Sequence, residues 1–525
     1  MRGKAFLFLC LSGALVAVGS RPSNAQQPPP YLPEILSRLQ RFNKLCEQRR
    51  RAGADLSKIE PIRLRQEAAF RGANVPGLLE ALTEGIAMLD GKPWNDKQRF
   101  VNSLTLELDA VVLEPNQDVQ VALHRMFPSD DRKAFGGKPL VTIAVKEDAA
   151  AAAEISPSLT SPTANRRLPV FASRIRLAET TTVANQRLLV PDGVYRVEAT
   201  IEAGGEVIAR LRKSIFAISD FTERIEGLAA LVNLIRTSAD PNVKSLGEQL
   251  TTVEFQIQRL ASINDPRGDN IDPIAELHRL EGVLASFSGG SNPLAGARGQ
   301  VEKAYRSSDG RLAPYRIYVP KSYDGKTSLP LVVLLHDALV DERAYFSDIY
   351  GGPGILAEAE RRGVLLASPN AGGIFPTYRG KSEEDVSEVI KAVSRDYAVD
   401  PARIYLTGYS AGAFGAWTIA ANRPGTFAAI APVSGGITLP SNEQAKLFSK
   451  LSDVPVLVVH GGRDGISPPK LSRDLANAAR KAGVKVDYLE PADADHFTAV
   501  SVTFSQVLDF FEKNRRAAKA AEPSK

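Results

Sequence analysis

Ile404-Tyr405-Leu406-Thr407-Gly408-Tyr409-Ser410-Ala411-Gly412 is the stretch that decides how this chain is read. A short run of strand character enters a Gly-x-Ser-x-Gly pentapeptide, and residues 411–422 continue it with helical patterning. The glycines have a mechanical job. They permit a sharp turn that lifts a serine hydroxyl above a sheet, while the following helix aims backbone N–H groups at negative charge developing beside it. With Gly at 40 of 525 positions the pentapeptide alone recurs easily by chance, so the strand before it and the helix after it give the motif its weight.

A serine hydroxyl is a poor nucleophile until a base takes its proton. His496 stands in Pro491-Ala492-Asp493-Ala494-Asp495-His496-Phe497, between the last strand pattern and the last helix pattern, which is where such a base belongs. His336 and His460 end strands and read as packing or loop-fixing residues, and His124 and His278 lie far upstream. An orienting acid should follow a strand between serine and base. Val456-Leu457-Val458-Val459-His460-Gly461-Gly462-Arg463-Asp464 supplies Asp464, while Asp493 and Asp495 compete from the base's own loop. Around these residues strand patterns (315–319, 331–335, 364–368, 404–407, 428–433, 456–459, 484–488) alternate with helix patterns (383–397, 411–422, 470–482, 500–513). Continuous apolar runs such as Leu331-Val332-Val333-Leu334-Leu335 suit strands buried on both faces, so the expected class is α/β with a mostly parallel sheet.

The order Ser, Asp, His resembles the α/β-hydrolase superfamily, and residues 300–513 are similar to it throughout. Carrying the resemblance are Tyr315-Arg316-Ile317-Tyr318-Val319-Pro320, residues 400–408, residues 427–436 and the His460 to Asp464 segment. The nearest likeness is to secreted esterases, namely polyhydroxybutyrate depolymerases and feruloyl esterases, and to predicted peptidases of the prolyl oligopeptidase type. The resemblance implies acyl transfer to water through an acyl-enzyme on Ser410, a small-molecule or polymeric ester as substrate, and no cofactor. It also implies an oxyanion hole of backbone N–H groups, assigned to Ala411 and Ala338. In Leu335-His336-Asp337-Ala338-Leu339, Asp337 replaces the glycine that the family carries. A carboxylate beside a developing oxyanion opposes it, and the loss of one such donor costs about a hundredfold in rate. Two other readings follow: a prolyl oligopeptidase-like peptidase, and an inert hydrolase fold retained as a binding protein.

The rest of the chain divides by pattern. Residues 1–25 read as a secretory signal, with Arg2 and Lys4, an apolar stretch and Ser23-Asn24-Ala25 as a cleavage site, so an exported product, periplasmic or extracellular, is expected. Residues 26–95 read as a linker and helical segment, 96–219 as a β-sandwich-like domain, 220–291 as a helical segment and linker, 292–516 as the α/β domain and 517–525 as a tail. The segment 148–164, rich in Ala, Ser and Thr, reads as a loop. The formal charge of +5 includes Arg2, Lys4 and Arg21, leaving +2 beyond residue 25. Basic residues are interleaved with acids, so no nucleic-acid partner is expected. Beyond the signal no segment supplies the ~20 apolar residues of a membrane span, and no cluster suggests a metal site. Cleavage would remove Cys10 and leave Cys46 alone, at a helical spacing with Ile35, Leu39 and Phe42 that reads as core.

Overall fold

A computed structural model describes residues 31–114, 117–130, 134–135, 139–148, 171–176, 181–187, 190–264, 271–436 and 440–516. The signal-like segment 1–25, the 148–164 loop beyond Asp148 and the tail from residue 517 lie outside the described residues. The chain forms two compact units: residues 91–295 make one, and the stretches on either side of it together make the other. The helical segment read as a separate piece therefore belongs, through Asp90, with the α/β domain.

That segment contains α1 (Leu32–Arg51), α2 (Glu60–Arg71) and α3 (Val75–Leu89). Asn74 caps α3 by accepting the Gly77 N–H at 3.1 Å, and Pro76 sits in the first turn, where its missing donor costs nothing. Phe42 of α1 lies so close to Gly85 of α3 that a Cβ there would stand 2.4 Å from its ring. Leu36 packs against one core of the α/β domain, and Asn43 donates to the Ile349 carbonyl at 3.0 Å.

The middle unit has β1 (Leu104–Leu108), β3 (Asp118–Arg125) and β6 (Thr181–Arg187) in one sheet. A second sheet holds β2 (Val112–Leu113), β4 (Leu140–Glu147), β5 (Phe171–Arg176), β7 (Gly193–Ala203) and β8 (Glu206–Ala217). Leu106, Val121 and Leu123 of the first sheet share a core with Val141, Ile143 and Val145 of the second, the interleaving of a sandwich. The helices that follow, chiefly Phe221–Arg236, Gly247–Ala261 and Pro273–Ser288, pack round their own core of Leu228, Leu250, Val253 and Leu280.

The α/β domain is built on eight strands: β9 (Gly299–Arg306), β10 (Leu312–Val319), β11 (Leu329–Leu335), β12 (Leu365–Pro369), β13 (Val399–Tyr409), β14 (Ala429–Val433), β15 (Val456–Val459) and β16 (Val486–Leu489). Their order is β9-β10-β12-β11-β13-β14-β15-β16; β9, β10 and β12 pair antiparallel, and the rest are parallel. Successive residues of β11 face opposite cores, Leu331, Val333 and Leu335 on one side and Val332 and Leu334 on the other. The sequence pattern missed β9, whose edge position tolerates Glu302 and Lys303, and the helix α4 (Gly352–Arg362). Further helices used below are α5 (Lys381–Asp396), α6 (Ala411–Asn422), α7 (Pro469–Lys481) and α8 (Ala499–Lys513). The connection from β12 to β13 jumps back across β11, so the carboxyl ends of β11 and β13 flank a crevice where sheets of this kind hold ligands.

Three close backbone approaches fix the turn after β13. A Cβ on Gly408 would stand 2.1 Å from the Gly412 carbonyl oxygen, one on Gly412 2.1 Å from that of Leu335, and one on Gly435 2.4 Å from that of Ser410. None of these oxygens can yield without moving its strand or helix. Gly412→Ala is therefore expected to cost about 3 kcal/mol in stability, read as a lower midpoint in urea unfolding.

Candidate active site

Ser410 follows β13 and precedes α6 with φ 54° and ψ −109°, a strained conformation for a residue with a side chain. The tight turn demanded by the neighbouring glycines forces it there, and the Ser410 N–H is held by the Val433 carbonyl at 2.9 Å. Its hydroxyl hydrogen-bonds the Asp337 side chain.

Asp464 lies one short loop past β15, and His496 in the loop between β16 and α8, the placements expected from sequence. His496 Nδ1 is 2.7 Å from Asp464 Oδ2, and both side chains are buried. Asp464 Oδ1 accepts the N–H groups of Ile466 and Ser467 at 3.0 and 2.8 Å, so the carboxylate is anchored before it meets the imidazole. His460 adds a second contact: its Nε2 faces Asp464 Oδ2 at 3.1 Å and the Ser467 carbonyl at 2.7 Å. Only acceptors stand before that nitrogen, so it carries the proton, and the Ser472 hydroxyl at 2.6 Å serves Nδ1. Burial opposes ionisation of Asp464, yet the His496 charge and the bonds from both histidines hold its carboxyl well below the usual range. Burial likewise disfavours the His496 cation, but Asp464, Asp337 and Asp495 together raise its pKa above the ordinary value. On the far side of the ring, His496 Nε2 is buried without a hydrogen-bond partner.

The competing carboxylates have other partners. Asp495 pairs with Arg63 at 3.0 Å and accepts the Thr498 N–H at 2.9 Å, and the exposed Asp493 pairs with Arg463 at 2.8 Å. His336, with both ring nitrogens on the carbonyls of Asp337 and Asn370, fixes the loop after β11.

The two amides assigned to the oxyanion hole do converge. Both point at one atom of the protein itself, Asp337 Oδ1, with Ala338 N at 2.6 Å and Ala411 N at 3.1 Å. Burial pushes the Asp337 carboxyl above its ordinary pKa, against the opposing pull of His496, the two amides and the Ser410 hydroxyl. Sequence reading marked Asp337 as a replacement for glycine and had no means of telling where its side chain would turn.

A second group was missed altogether. Glu67 of α2 is 3% exposed and sits directly on Gly465, where a Cβ would be 2.0 Å from its Oε2. Its Oε1 accepts the Gly465 N–H at 3.4 Å, and Phe70 one turn on meets Phe497 edge-to-face. Nothing in the helical pattern of residues 60–71 signals this, because the partner loop lies 398 residues away. Burial, with Asp495 and Asp464 nearby, pushes the Glu67 carboxyl up to about 7. Among the described residues no group of ligating side chains could hold a metal ion, and no helix is long and apolar enough to cross a membrane.

The raised Glu67 pKa has a definite sign. Between about pH 4.5 and 7 the folded chain keeps a proton that the unfolded chain releases, so stability falls as pH rises through that window. Glu67→Gln should remove this contribution, up to about 3 kcal/mol, and flatten the fall in melting temperature between pH 5 and 8.

Residues 366–521 match the model of the dienelactone hydrolase family. Poly(3-hydroxyalkanoate) depolymerase C of Paucimonas lemoignei is 31% identical over 159 residues, covering 27% of this chain and 38% of the depolymerase. The bifunctional acetylxylan esterase/xylanase of Neocallimastix patriciarum is 25% identical, covering 34% of this chain and 26% of its own length. The chain thus spans less than half of either relative. Among solved structures, the feruloyl esterase module from Clostridium thermocellum complexed with sinapinate matches with TM-score 0.37 at 17% identity, over 44% of this chain and 93% of the module. The strand order and the elbow at Ser410 make the domain one of α/β-hydrolase fold, and within it residues 366–521 are similar to the dienelactone hydrolase family.

Proposed function

We propose that the chain is an exported serine hydrolase that cleaves carboxylic esters, with Ser410 as nucleophile, His496 as general base and Asp464 as the acid that orients it. The observation that carries this reading is the buried 2.7 Å contact between Asp464 Oδ2 and His496 Nδ1. It fixes the tautomer and leaves Nε2 to accept a proton. Ser410 would attack the ester carbonyl, His496 would take its proton and return it to the leaving alcohol, and water would then cleave the acyl-enzyme. Asp464, held ionised by two histidines and two backbone N–H groups, would stabilise the imidazolium without taking the proton itself.

The ester substrate is supported by the relatives, whose names are those of a poly(3-hydroxyalkanoate) depolymerase and a bifunctional acetylxylan esterase/xylanase. Export is supported by the basic, apolar and small-residue order of residues 1–25.

Purified protein should react with a fluorophosphonate probe and hydrolyse short aryl esters, and Ser410→Ala should lose both. Asp464→Asn should lower kcat by about 10⁴-fold with little change in KM, since the imidazole would settle in the wrong tautomer. Protein that is folded yet unlabelled would refute the nucleophile. Because the neighbouring carboxylates raise the His496 pKa above 6.5, the acid limb of kcat/KM should fall above that value, and Glu67→Gln should move the limb to lower pH.

A further inference from the structure

We propose that Asp337 is the resting occupant of the oxyanion hole, and that its carboxylate must turn away from the Ala338 and Ala411 amides before a substrate carbonyl can use them. The inference rests on the acyl-enzyme reading of Ser410.

One carboxylate oxygen receiving two converging N–H donors, at 2.6 and 3.1 Å, reproduces what a tetrahedral intermediate asks of such a hole. The donors cannot serve both. Nor can an ionised carboxylate remain beside the oxyanion, because two like charges in contact repel strongly where water is scarce. An ester carbonyl is a weaker acceptor than a carboxylate, so the substrate competes at a disadvantage unless its other contacts make up the difference.

The part that moves is small. The backbone of the loop is clamped on both sides of Asp337. The Asp337 N–H donates to the Tyr350 hydroxyl at 3.1 Å, and the Asp337 carbonyl meets His336 Nδ1 at 2.8 Å. The Tyr378 hydroxyl donates to the His336 carbonyl at 2.6 Å, and Leu339, at φ 68°, is held through its N–H by the Ile374 carbonyl at 2.6 Å. Tyr350 is itself fixed by edge-to-face rings of Tyr345 and Tyr409. With the main chain held, the Asp337 side chain is left as the gate, and rotation about its Cα–Cβ bond frees both amides without moving the loop. The gate acts through the equilibrium between its two positions. It thereby selects substrates: a minimal ester has little binding energy to set against the occupied hole, whereas a larger one has more.

The test compares fluorophosphonate labelling rates and kcat/KM for p-nitrophenyl acetate in wild type, Asp337→Gly, Asp337→Ala and Asp337→Asn, with melting temperatures as the check on folding. The expected result is a gain of tenfold or more in both rates for the Gly and Ala variants. Asp337→Asn, whose amide oxygen still accepts from both N–H groups, should gain clearly less. Wild type that labels at Ser410 together with folded Gly or Ala variants no faster than it would overturn the gate and leave the acyl-enzyme standing. An Asn variant as fast as Gly would also overturn it, since occupancy would then be irrelevant. Folded proteins none of which label would overturn the serine nucleophile and the gate together.

Discussion

The close passage of backbone past backbone around Gly408, Gly412 and Gly435 is the constraint on which the rest of the α/β domain depends. It lets α6 begin against the carboxyl end of β11 and forces Ser410 into its strained conformation. It also brings the Ala411 N–H to the same point in space as the Ala338 N–H. Because β11 and β13 are neighbours in register, Leu335 opposite Gly408, the loop that follows one strand and the elbow that follows the other share a crevice. Sheet topology thus determines which residues meet, and the glycines determine how closely.

Electrostatics then shapes what the crevice holds. Asp337, Asp464 and Asp495 all favour a positive charge on His496, and Glu67 adds a fourth carboxylate in reach of it. Such a gathering is tolerated because each acid is handled differently. Asp464 is held charged by histidines and backbone donors, Asp495 is paired with Arg63, and Asp337 rests on two amides. Glu67 has only a long contact with Gly465 and is pushed towards its neutral form.

The fold and most of the candidate site were legible in the sequence because their signals are local. Buried parallel strands announce themselves as unbroken apolar runs, the elbow as a pentapeptide between strand and helix, and Asp464 and His496 as loop residues in a fixed order. Asp337 was legible as an anomaly, but its consequence depends on a rotamer. The edge strand β9 escaped because its polar residues conceal the alternation. Glu67 and Arg63 escaped for a different reason: their meaning lies in a loop hundreds of residues away, and no periodicity encodes a partner at that distance.

That distance has a consequence for how the protein is made. Helices α1 to α3 and the α/β domain form one compact unit, yet the whole middle unit is threaded between them in the chain. Contacts of such long sequence separation form late and slowly. A nascent polypeptide that has completed Glu67 must still emerge by some four hundred residues before the Gly465 loop exists to receive it. Until then the α1 residue Leu36, which packs on a core of the α/β domain, has no domain to pack on and is open to aggregation or chaperone capture. The loops that carry Asp464 and His496 are buttressed by a helix some four hundred residues earlier in the chain, so their surroundings are complete only once that whole span has been made.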